Sequence, residues 1–147
     1  MKSNVVWLSL LTTTLLTFKS AIAQEAVKVE VETASIRGQL IVALCTEETF
    51  LKDTCTLART VVEISDPLTT TMVTPPNPGR YAVFVIHDKN LNSRMDTNFL
   101  GMPKEPVGMS RNPTKSKFFG PPKFSDVSFD YPSTKPLEFR IRLVAPD

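Results

Sequence analysis

Asp88, Asn90, Asn92 and Asp96 place side-chain oxygens along one short run, HDKNLNSRMD, that begins at His87. A hard cation such as calcium takes about six to eight oxygens, and a turning loop with acids and amides at alternate positions can bring them to one point. On that reading Asp88, Asn90 and Asn92 hold the first, third and fifth positions, the Arg94 carbonyl the seventh and Asp96 the ninth. Calcium is then the expected cofactor, with Glu105 as a further carboxylate if the chain folds back. The run departs twice from the usual calcium loop: Ser93 replaces the glycine of the sharp turn, and Phe99 stands where a bidentate Glu is expected. The same residues suit a second role. Asp and Asn side chains accept hydrogen bonds from nearby backbone N–H groups and so build turns without any ion. The sequence leaves both readings open.

Acid–base chemistry would have to use His87, the single His of the chain, with Asp96 or Glu105 as its carboxylate. A small extracytoplasmic enzyme built on that pair is the alternative function. Its nearest acid, Asp88, is adjacent in sequence, and neighbours on a strand point to opposite faces. Neither Ser nor Cys stands in a nucleophile motif, so no residue is assigned a catalytic role.

The elements that must position these residues follow a leader. Lys2, an apolar stretch from Val5 to Thr17 and the small residues Ala21 and Ala23 make residues 1–23 a Sec-type bacterial signal peptide, cut after Ala23. The apolar stretch is short for a membrane span and carries Thr12, Thr13, Thr14 and Thr17. Cleavage removes Lys2 and Lys19 and no acid, so 15 acidic residues are matched by as many basic ones. That balance gives no electrostatic case for nucleic acid or an anionic membrane, and no second apolar segment is long enough to insert stably. The expected location is the periplasm or the medium, and the expected partner an extracytoplasmic ligand or protein.

Residues 24–147 are long enough for one domain with its own core. Export places Cys45 and Cys55 in an oxidising compartment, where two Cys form one bridge. The spacing is too wide for a Cys-x-x-Cys redox pair, and closing the short loop is worth roughly 2–3 kcal/mol.

Strand periodicity dominates this domain. VKVEVE alternates Val27, Val29 and Val31 with Lys28, Glu30 and Glu32; LEFRIRL alternates Leu137, Phe139, Ile141 and Leu143 with charged residues. QLIVALC and RYAVFVIH are apolar on both faces and predict central strands covered on both sides. LARTVVEIS and TTTMVT are β-branched and predict two more strands, and PPNPG predicts a turn. Thr46 to Asp53 suits one helical turn that buries Phe50 and Leu51. The pattern predicts an all-β, antiparallel two-sheet sandwich, immunoglobulin-like or transthyretin-like, with one long ordered loop. That loop, Asp88 to Asp130, carries Phe99, Leu100, Met102, Met109, Phe118, Phe119 and Phe124. So much apolar surface is expected to pack on one end of the sandwich rather than stay disordered.

The run GRYAVFVIHDKNLNSRMDTNFLGMPKEPVGMSRNP, Gly79 to Pro113, resembles the bacterial DUF2141 family of exported proteins. Gly79, Tyr81 and Ala82 match its strand; His87, Asp88, Asn90, Asn92, Asp96 and Asn98 match the first half of its loop. Gly101, Pro103, Glu105, Gly108, Ser110 and Asn112 match the second half, and FGPPKFSDVSF is similar as well. Leu91 and Ser93 stand where many members have Gly, and Val107 where an aromatic is common. The resemblance implies an exported β-sandwich domain and no established activity. The function expected from sequence is an exported binding or structural module with a loop organised by calcium or by its own turns.

Overall fold

A computed structural model describes residues 25–52, 55, 57–113 and 121–146. The expected leader, residues 1–23, lies outside these, as do Asp53, Phe118 and Phe119.

Among the described residues, eight strands and one helical turn follow in the order β1 (Val27–Glu32), β2 (Gln39–Cys45), β3 (Leu57–Glu63), β4 (Leu68–Val73), β5 (Gly79–Asp88), β6 (Val107–Met109), α1 (Phe124–Val127), β7 (Phe129–Tyr131) and β8 (Glu138–Arg142). They form a β-sandwich of two sheets. One has the order β4-β1-β8; the other has the order β3-β2-β5-β6, with β7 also paired to β5. The alternation in β1 dictates its place: Val27, Val29 and Val31 are fully buried between the sheets. Its charged positions turn outward, where Lys28 pairs with Glu30 and Glu32 pairs with Arg140 and Arg142 of β8. In β8 the expected inward set is found: Ile141 is buried, and Leu137, Phe139 and Leu143 pack against it as half-buried neighbours.

The pairing of β1 with β8 is parallel, the exception in an otherwise antiparallel sandwich. These two strands lie near opposite ends of the described chain, so the long connection that a parallel pair requires is the rest of the domain.

β2 and β5 are the central strands, and their two apolar faces meet two different partners. One face, with Leu40, Val42, Leu44, Tyr81, Val83 and Val85, joins β1 and Ile141 in the core between the sheets. The other, with Ile41, Cys45, Ala82, Phe84 and Ile86, is covered by Met109, Phe124 and Val127. Residues of β6 and α1 therefore close the outer face of the larger sheet. Burying each of these side chains is worth about 1.5–3 kcal/mol before entropy, so the excursion is part of the core. Ser110 pins it: its hydroxyl donates to the Val127 carbonyl and accepts from the Val83 N–H, and all of it is buried. Gly108 makes room, because a Cβ there would come within 2.5 Å of Ile141 Cγ2. Beyond it, the Asn112 side-chain amide pairs with the Arg140 carbonyl and the Arg142 N–H of β8, at 2.7 and 2.8 Å.

Cys45 and Cys55 are bonded, as their number and context predict. The segment between them opens with a turn in which the Phe50 N–H reaches the Thr46 carbonyl, and Phe50 packs edge-on against Phe124. Leu51 does not follow it inward and stays exposed. The larger difference lies in the long loop. Met109 and Phe124 are buried, but Phe99, Leu100 and Met102 are 94, 71 and 57% exposed. The loop is not held together by burying those three side chains, and hydrogen bonds at its base show what does hold it.

Candidate functional site

β5 ends at His87 and Asp88, opposite the first residues of β2: Leu40 is the cross-strand partner of His87, and Gln39 that of Asp88. Both β5 residues are buried. The His87 ring uses Nε2–H to donate to the Arg37 carbonyl at 2.7 Å, which fixes the ring against the chain entering β2. Among the described residues no hydrogen bond joins the His87 ring to Asp96 or Glu105.

Asp88 is completely buried, yet its carboxylate is saturated. Oδ2 accepts from Gln39 Nε2 at 2.8 Å and from the Ser93 N–H at 2.7 Å, and Oδ1 accepts from the Asn92 N–H at 3.2 Å. Burial alone pushes the carboxyl up, but the hydrogen bonds from Gln39 and from the N–H groups of Ser93, Asn92 and Leu91 outweigh it. They hold Asp88 below the ordinary carboxylate range. The chain that wraps this carboxylate has φ of +62° at Leu91 and +61° at Ser93, the left-handed region that favours glycine. Gly38 supports the wrap from β2's side: at φ +92°, a Cβ there would come within 2.4 Å of the Asp88 carbonyl oxygen.

The other polar residues continue the pattern. Asn90 and Asn92 turn their amide nitrogens onto Asp96, at 2.7 Å and at 3.0–3.1 Å. Their own oxygens accept the N–H groups of Asn92 and Arg94. Glu105, also buried, does fold back: Oε1 accepts the Lys89 N–H at 2.9 Å, and Oε2 faces the Asp96 N–H at 3.5 Å. The tip is a miniature hairpin bridged between Thr97 and Pro103. Asn98 closes it, its Oδ1 accepting from Leu100 and Met102 N–H groups while Gly101 takes φ +76°.

The structure thus brings together the four residues singled out for a cation, with Glu105 beside them. As folded, their acceptors are engaged by N–H donors. A calcium ion needs about six to eight oxygens directed at one point, whereas Asn90 and Asn92 direct nitrogens at Asp96. Among the described residues no group of three or more His, Cys, Asp or Glu side chains gathers around a common centre. As folded, the donor set is that of a hydrogen-bonded turn. Gln39, Gly38 and Arg37 complete the site from a different segment. Gly38, standing just before an apolar run, was the one sign of them in the sequence.

A family model described as an uncharacterised protein conserved in bacteria, DUF2141, matches residues 27–138. The chain belongs to the DUF2141 family. The match takes in β1 to β7, the whole loop and the first residue of β8, so in this DUF2141 chain the site and the sandwich are one unit. Comparison with curated proteins and with solved structures found no match. The Cys45–Cys55 disulfide points to an oxidising, extracytoplasmic setting. Among the described residues no helix is long and apolar enough to cross a membrane.

Proposed function

We propose that this DUF2141 chain is an exported binding module, delivered to the periplasm or the medium by its 1–23 leader, with the β5–β6 loop as its recognition surface. The observation that carries this reading is the inward turn of the loop's acids. Asp88 and Glu105 turn their carboxylates onto backbone N–H groups, so the loop is preorganised and its exposed side chains, Phe99, Leu100 and Met102 among them, are left to meet a partner. Preorganisation of this kind lowers the entropy cost of binding. An enzyme centred on His87 has less support, since the ring is buried and bonded to a backbone carbonyl.

Calcium is not required in this reading: the hydrogen bonds of Asp88, Asn90, Asn92 and Asp96 hold the turn. A thermal melt of the exported protein in EDTA and in millimolar calcium tests it, and the two curves should superimpose. A rise of several degrees in calcium, lost in Asp96→Ala, would establish a cation site instead, because an ion bound only to the folded state raises Tm.

A further inference from the structure

The residues of the loop are sorted by charge and polarity. All its acids face inward or are engaged: Asp88 and Glu105 are buried, and Asp96 takes the amides of Asn90 and Asn92. The ionic groups it exposes, Lys89, Arg94 and Lys104, are all cations, of which Arg94 lies 3.9 Å from the half-buried Asp96 carboxylate. At the tip, Phe99, Leu100 and Met102 project from a turn whose backbone is hydrogen-bonded within itself. The balanced charge of the whole chain conceals this local segregation.

Single exposed apolar residues are ordinary on a protein surface. Three within four positions, on a braced turn in a segment whose exposed charges share one sign, are not scattered. We propose that this tip docks the module on an anionic lipid surface. Phe99 and Leu100 enter the headgroup–acyl boundary, and the cations of the loop meet the lipid phosphates. Apolar insertion combined with basic attraction is how peripheral segments hold such surfaces. The proposal rests on the loop being a preorganised recognition surface.

Co-sedimentation of the exported protein with phosphatidylglycerol vesicles and with phosphatidylcholine vesicles tests it. Binding to the anionic vesicles is expected to exceed binding to the neutral ones by about tenfold and to weaken with salt. Phe99→Ser combined with Leu100→Ser should lower it by about tenfold or more. Lys104→Ala and Arg94→Ala should each cost about fivefold on anionic vesicles and little on neutral ones. Absence of vesicle binding, or binding indifferent to these substitutions, overturns the proposal, as does a Phe99-dependent cross-link to an envelope protein without vesicle binding. Amide exchange separates the two levels of inference. Slow exchange at Asn92 and Ser93 in a protein that ignores vesicles sinks the lipid assignment alone. Exchange there at the rate of an unstructured peptide sinks the preorganised loop too.

Discussion

At the base of the β5–β6 loop a carboxylate, Asp88, has no solvent exposure; at its tip a phenylalanine, Phe99, is 94% exposed. The two ends of one segment invert the usual partition of polar and apolar groups, and they do so for a single reason. The N–H groups of Lys89, Asn92, Ser93 and Arg94 in the wrap around Asp88 find acceptors on side chains, so the fold of the loop needs no apolar burial at the tip. The base is where the loop's stability resides, and the tip is left available for contact.

The contrast can be broken hardest from outside the loop. Gly38→Ala should destabilise the domain by about 4 kcal/mol, since the new methyl meets the Asp88 carbonyl oxygen and the backbone must keep φ +92°; urea denaturation measures it. Asp88→Ala comes next, at about 3 kcal/mol, because it strands Gln39 and several backbone N–H groups around a buried void. The same carboxylate gives an acid limb. Its folded pKa lies below the ordinary range, so its contribution is complete above the unfolded value, about pH 4, and is lost as pH falls through the folded value. Denaturation midpoints followed from pH 7 downward should show that loss, and Asp88→Asn should flatten it.

Smaller changes sharpen the comparison. Leu91→Gly and Ser93→Gly should each stabilise the fold by about 0.5–1 kcal/mol in thermal melts, the relief of a left-handed φ exceeding the entropy cost of glycine. The least effect belongs to the tip: Phe99→Ala should move stability by less than about 0.5 kcal/mol, because the side chain touches little that folding orders. A loss as large as that of Asp88→Ala would mean that the tip is packed after all.

Strands and their roles were legible wherever burial alone selects residues. β1 and β8 alternate because one face of each is wet, and β2 and β5 do not because both of their faces are covered. What covers β5's outer face was not legible: β6 is three residues around a glycine, and α1 is a single turn, too short for either periodicity to register. The expectation that Phe99, Leu100 and Met102 must bury failed because it credited order to hydrophobic collapse, whereas Asn98 closes that turn with hydrogen bonds. Asp88, Asn90, Asn92 and Asp96 were visible as one constellation. Gln39 was invisible as Asp88's partner, because the register of two strands distant in sequence is fixed only when the sheet assembles.

One bond at the loop's far end reaches beyond this domain. β8 is the last strand of its sheet, and an open edge is a template on which another chain can add a strand. Asn112 occupies that edge with a side chain, taking the Arg140 carbonyl and the Arg142 N–H, while Val107 takes the backbone of Val144 just beyond. An amide that mimics a strand thus occupies backbone groups of β8 on which an added strand would otherwise pair.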